Sequence, residues 1–144
     1  MASTDLLARN RVILMHFDTY SVALSFVQWD ETMLWPDALP DWSQTPAPAD
    51  AASATYDGEA VRQAVIDRYS FNPAELVRIS NFDYWAQTES GPVRIHLLRF
   101  TSFQAPKALL EACDGSFRHL PELRGADKQE LLLLREAFGL FVGR

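Results

Sequence analysis

The chain has 144 residues, 48% hydrophobic and 22% charged, enough apolar material for one buried core and too much for a disordered polymer. A net charge of −6 speaks against a nucleic-acid surface, which needs a basic patch to displace counterions. The single cysteine, Cys113, excludes an internal disulfide and a zinc centre built from several thiolates.

The charge is uneven. Residues 1–70 hold 4 basic and 10 acidic side chains, whereas residues 71–144 hold 9 of each, so an anionic ligand is expected against the second half. The start, MASTDLLARNRVILMHF, has an apolar run too short for a signal-peptide core or a membrane span. The expectation is a cytoplasmic protein with no membrane and no nucleic-acid partner, folded as a single domain over residues 1–144.

Val12–Phe17 and Val22–Trp29 are rich in β-formers and separated by DTYS, which predicts a hairpin. A helix through part of 12–29 is the competing reading, since short apolar runs carry no clear period. Pro36 and Pro40 limit the next stretch to a short edge strand. Residues 43–57, small and proline-containing, read as a loop that is mobile, functional or packed on a partner. Asp57 can cap a helix whose apolar stripe is Ala60, Val61, Ala64 and Val65. Asn72-Pro73-Ala74-Glu75 is a further helix start, expected to make one short turn.

Leu76–Gln87 and Val93–Ser102 read as two strands joined at Gly91, with Arg94, His96 and Leu98 on one face of the second. A helix is predicted from Pro106 to about Ala112, a short strand over Phe117–Leu120, and a last helix from about Asp127. That helix carries so wide an apolar surface that it belongs in a core or at a subunit contact. The fold class is therefore α+β, a mixed sheet flanked by helices.

The order strands, loop, helix, long hairpin, helix, together with GEAVRQAVIDRYSF at 58–71, resembles the Nudix hydrolase family. The resemblance implies an α/β/α sandwich whose signature helix binds magnesium through glutamates and hydrolyses diphosphates. Ala60, Val61, Val65 and Phe71 match that helix's apolar positions. Its chemical positions fall on Gln63, Ala64, Asp67, Arg68 and Ser70. Hard cations need several oxygen ligands, and here too few are present. The resemblance thus points to a non-catalytic binding or interaction module that needs no cofactor. Self-association, as a homodimer, is expected through the last helix or the tryptophans. The alternative is a metal-dependent diphosphate hydrolase using Glu59 and Asp67 to hold Mg or Mn.

Three further groupings stand out. Arg78, Arg94 and His96 can cradle a small anionic ligand, against the plainer reading of a solvated sheet face. His16 and Asp18 share a strand face and can form an acid–base pair, against a polar edge. Trp35 and Trp42, in the proline-broken segment, are expected outside the core and are the interface candidates.

Overall fold

A computed structural model describes residues 6–142, so the ends of the expected 1–144 domain, MASTD at the start among them, lie outside the described residues. Seven strands form one mixed sheet: β1 (Asn10–Asp18), β2 (Ala23–Trp29), β3 (Ser43–Thr45), β4 (Leu76–Arg78), β5 (Tyr84–Thr88), β6 (Gly91–Phe100) and β7 (Gly115–His119). The helices are α1 (Gly58–Tyr69), α2 (Lys107–Glu111) and α3 (Lys128–Phe141). Strand order is β3-β5-β6-β1-β2-β7, with β4 also on β6. The class is α+β.

β1 and β6 run parallel at the centre, Val12 beside His96 and Leu14 beside Leu98, while the remaining pairings are antiparallel. Central strands covered on both faces need apolar side chains in both alternations. VILM in β1 supplies them. Ile13 and Met15, with Phe26, Ile95 and Leu97, meet Leu133, Leu134 and Ala137 of α3. Val12 and Leu14, with Val27, Leu76, Leu98 and Phe100, meet Val61, Val65 and Ile66 of α1. The sheet therefore lies between α1 on one face and α3 on the other. The hairpin expected over 12–29 is present, with Met15 opposite Phe26 and Asp18 opposite Ala23.

Caps set the helix starts. Asp57 accepts from the Glu59 amide ahead of α1, and Asp127 accepts from the Glu130 amide ahead of α3. Ser70, in the left-handed region at φ 59°, ends α1. No helix among the described residues is long and apolar enough to cross a membrane.

Three expectations are corrected. The single strand expected over Leu76–Gln87 is two, β4 and β5, both on the edge of β6 away from β1. Between them the chain turns so that Phe82, 2% exposed, reaches the core, which a continuous strand would not allow. Trp35 and Trp42 are not outside the core; they are 4% and 8% exposed. Trp35 exchanges two backbone hydrogen bonds with Val12, along the part of β1 that β2 leaves unpaired, and its indole N–H donates to the Tyr69 hydroxyl at 2.7 Å. Proline prevents a long strand here but does not prevent docking on a neighbour.

The third concerns His96, whose face is buried and not solvated. Asn10, fully buried, donates from Nδ2 to the carbonyls of Leu6 (2.7 Å) and Thr55 (2.9 Å), which leaves its Oδ1 to accept from His96 Nε2 at 2.7 Å. Arg94 donates to the Tyr56 carbonyl, and Tyr56 packs edge-on against Trp85 at 4.7 Å. These contacts fasten the end of the 43–57 loop to the chain's own sheet.

Burial, with the Arg94 and Arg78 charges adding to it, holds His96 down to about 3, so it stays neutral where an unfolded histidine is charged. The unfolded state then binds the extra proton, and stability falls as pH drops from the ordinary imidazole value of about 6.5 towards the folded one. Acid unfolding followed by circular dichroism is expected to show this loss, at most about 1.4 kcal/mol per pH unit. His96→Gln, which keeps a donor for Asn10, is expected to flatten that limb.

Candidate functional site

The residues expected to hold metal are not brought together. Glu59 and Asp67 are both exposed on α1. Glu59 Oε2 lies 2.7 Å from Arg62 Nη1, and Asp67 Oδ1 accepts from Gln63 Nε2 at 2.9 Å. Arg62 also donates to the carbonyls of Leu76 and Pro73, so the Glu59 pair braces α1 against the chain leading into β4. Among the described residues, no three His, Cys, Asp or Glu side chains gather where they could hold a metal ion.

Arg78, Arg94 and His96 are brought together, but His96 and Arg94 spend hydrogen-bonding capacity within the fold. His96 is committed to Asn10. Arg94 holds Tyr56, lies over the Trp85 ring at 5.3 Å and approaches Asp83 at 4.0 Å. The Arg78 stem crosses Gly58 so closely that a Cβ there would sit 2.5 Å from its Cδ. This group joins the loop and the start of α1 to the sheet.

Two cavities gather further polar side chains. One, of about 820 Å³, is rimmed by Asp30, Glu31, Asp37, Asp114, Asp127 and Glu130, with no basic residue in its lining. Two of its carboxylates, Asp127 and the buried Glu130, already have structural partners. Asp127 caps α3, and Glu130, 3% exposed, accepts from Thr32 Oγ1 at 2.6 Å and the Met33 amide at 2.8 Å. Glu130 thereby ties α3 to the chain that follows β2.

The second cavity, of about 580 Å³, lies over the α1-side face of β1, β2 and β7, closed by the segment leading into α2. Its floor follows from register. His16 stands directly opposite Ser25 in β1–β2, and Ser25 directly opposite His119 in β2–β7. Directly opposed Cβ atoms lie about 4.5–5.5 Å apart, so the three side chains form one polar row across the sheet. All three line the cavity. His16 is 2% and Ser25 6% exposed, polar positions at one end of a face whose centre carries Val12, Leu14, Val27 and Leu98.

The row's proton positions follow from its partners. His16 Nε2 meets the Ser102 carbonyl at 2.8 Å, and His119 Nδ1 meets the Leu24 carbonyl at 3.1 Å. A carbonyl only accepts, so each of those nitrogens carries hydrogen and each ring keeps its other nitrogen for a ligand. Among the described residues the Ser25 hydroxyl has no hydrogen-bond partner. The hydroxyl is not among the fully buried unpartnered atoms, so it opens into the cavity, where water or a ligand can reach it.

The charged residues in the lining are Asp18, Lys107 and Glu122 besides the two histidines. Amides of Ser21 and Tyr20 hold the Asp18 carboxyl below its usual value, and Glu122 accepts from the His119 amide at 2.7 Å. Both carboxylates are thus occupied by backbone donors, while the Lys107 ammonium has no ion-pair partner among the described residues. His16 and Asp18 share this cavity, but Asp18 is turned to the β1–β2 turn, where it accepts from Tyr20 at 2.9 Å and Ser21 at 3.3 Å.

Sequence reasoning singled out His16 but missed Ser25 and His119 as its companions. The β1–β2 hairpin makes Ser25 legible as a neighbour; the pairing of β7 with β2, which brings His119, is set by tertiary packing. In comparisons with known proteins, no family model and no curated protein matches the chain.

Burial pushes the Glu130 carboxyl up, against the hydrogen bonds from Thr32 and Met33. Its folded value lies above the unfolded one, so its contribution is present at low pH and is lost as pH rises through the folded value. Glu130→Ala leaves the buried Met33 amide without its acceptor and is expected to lower stability by about 1–3 kcal/mol in urea melts. Glu130→Gln, which retains an acceptor without the buried charge, is expected to lose less and to remove this pH dependence.

Proposed function

We propose that this chain is a non-catalytic binding module, and that its ligand is a small anion held over the His16–Ser25–His119 row. The observation that carries this reading is a row of His16, Ser25 and His119 in strand register along a cavity of about 580 Å³, with the Ser25 hydroxyl unpartnered and open to it. Pockets of a few hundred Å³ with a small set of convergent polar groups suit small molecules.

The anionic character follows from the donors. Lys107 supplies a fixed positive charge and Ser25 a hydroxyl. Each imidazole already donates one N–H to a backbone carbonyl, which fixes its ring beside the Ser25 hydroxyl. The lining carboxylates oppose an anion, but Asp18 is directed to the amides of the β1–β2 turn and Glu122 to the His119 amide, away from the Lys107 ammonium.

The Nudix-like scaffold belongs to the proposal through element order and through a sheet placed between α1 and α3. The separate pairing of Glu59 with Arg62 and of Asp67 with Gln63 favours binding over metal-dependent hydrolysis. Of the surfaces expected to carry self-association, Trp35, Trp42 and the Leu133, Leu134 and Ala137 side of α3 lie in the core, while Leu132 of α3 is 47% exposed.

Isothermal titration with inorganic phosphate and with acetate is expected to show saturable binding that Ser25→Ala weakens about tenfold, roughly the worth of one hydrogen bond to a charged group. Lys107→Ala is expected to weaken it further at low salt. Binding indifferent to both variants contradicts the proposal. In a parallel thermal-shift series, magnesium or manganese is expected to leave the melting temperature of the wild type and of Asp67→Ala equally unmoved. A metal-dependent rise that Asp67→Ala abolishes favours the hydrolase instead.

A further inference from the structure

The cavity over the His16–Ser25–His119 row carries more negative charge than a plain anion explains. Two carboxylates, Asp18 and Glu122, stand in its lining against one ammonium, Lys107. The second nitrogen of each imidazole, an acceptor in the neutral ring, adds to that surplus of acceptors. An oxyanion satisfies Lys107 and Ser25 but leaves both carboxylates facing like charge. At about 580 Å³ the cavity also exceeds what acetate or inorganic phosphate fills, and pockets of this size take larger molecules.

Strand register places the two carboxylates. Asp18 stands directly opposite Ala23, two residues along from the His16–Ser25 pair and on the same face of the sheet. On the other side of β2 the ladder with β7 ends at Ser25–His119, and Glu122 folds back so that its Oε1 accepts from the His119 amide. The carboxylates thus come from the two sides of β2, with Ala23 also in the lining.

Both amides that hold Asp18 bond one oxygen, Oδ1, and the amide that holds Glu122 bonds Oε1. The backbone therefore fixes each carboxylate through a single oxygen, and Oδ2 and Oε2 have no backbone donor among the described residues. The Ser21 and Tyr20 amides also hold the Asp18 carboxyl below its usual value, which keeps it charged across the neutral range. Lys107 belongs to a different segment, pinned where the Ser102 carbonyl accepts from His16.

Resting on the anion-binding reading, we infer that the cavity takes a small zwitterion: a carboxylate or phosphate at Ser25 and Lys107, joined to an amine received by Asp18 and Glu122. An ammonium group offers three donors, which carboxylate oxygens and imidazole nitrogens accept. Charge of both signs in one lining also selects against a ligand of either sign alone, because each then meets an unpaired like charge.

The test is isothermal titration with matched ligands at neutral pH. Acetate is compared with glycine, β-alanine and 4-aminobutyrate, and inorganic phosphate with phosphoethanolamine. N-acetylglycine supplies a similar body with the positive charge removed. The best amino acid of the spacing series, and phosphoethanolamine, are each expected to bind at least about tenfold more tightly than the parent anion, the scale of a hydrogen bond between charged groups. N-acetylglycine is expected to bind no better than acetate. Asp18→Asn with Glu122→Gln keeps the amide-accepting oxygens and removes both charges. This double variant is expected to lose the zwitterion advantage and to bind acetate and inorganic phosphate more tightly than the wild type does. Opposite changes in one sample cannot come from partial unfolding, and the wild-type series stands without the variant.

Equal affinity of zwitterion and parent anion overturns the inference and leaves the anion site standing. N-acetylglycine binding as tightly as the best amino acid does the same. A double variant that weakens every ligand alike, or that keeps the zwitterion advantage, also overturns it. Methylammonium binding as tightly as the zwitterions marks a cation site, and absence of binding by every ligand marks no site; either result overturns the anion reading as well.

Discussion

Parallel pairing of β1 with β6 is the constraint on which the other arrangements depend. Its register sets Asn10 beside Arg94 and Val12 beside His96 at one end, and His16 beside Phe100 at the other. A shift by one residue would exchange the faces, turning Ile13 and Met15 towards α1 and His16 towards α3. The apolar doublets on both sides of β1 resist that shift, because each face is already matched to its own helix. Polar residues at the two ends of the α1-side face are then fixed in place by an apolar centre.

Those two ends use the same chemistry differently. At the start of β1, Asn10 and His96 satisfy one another and the carbonyls of the adjoining segments, and the group acts as a fastening for the loop ahead of α1. At the far end, His16 and His119 each satisfy one backbone carbonyl and stop there, with Ser25 between them unpartnered. A satisfied network rigidifies a fold, whereas an incomplete one at a cavity wall is suited to completion by a ligand. That difference, more than the presence of histidine, separates the structural group from the candidate site.

How far the sequence reads through to the fold depends on the range of the signal. The hairpin of β1 and β2, the capping of α1 by Asp57 and the last helix after Asp127 rest on local patterning, and local patterning located them. The break between β4 and β5 did not announce itself, since Phe82 is an ordinary strand residue until the core demands it. Trp35 was misread for a related reason. Its neighbouring proline speaks only of backbone geometry, while its burial comes from Val12 and Tyr69, far away in the chain. Of the site, His16 was visible and its pairing with Ser25 followed from the hairpin; His119 arrives through a long-range strand pairing that no local pattern encodes. The Arg94–His96 spacing looked like a ligand cradle because alternation along a strand identifies a shared face without saying what covers it.

The central claim, that the incomplete row and not the Asn10–His96 group receives the ligand, is tested most directly by imidazole nitrogen NMR during a phosphate titration. Signals of His16 and His119 are predicted to move together and saturate, while His96 stays fixed. Movement of His96 with the other two unmoved would contradict the account and return the site to the Arg78 and Arg94 side of the sheet.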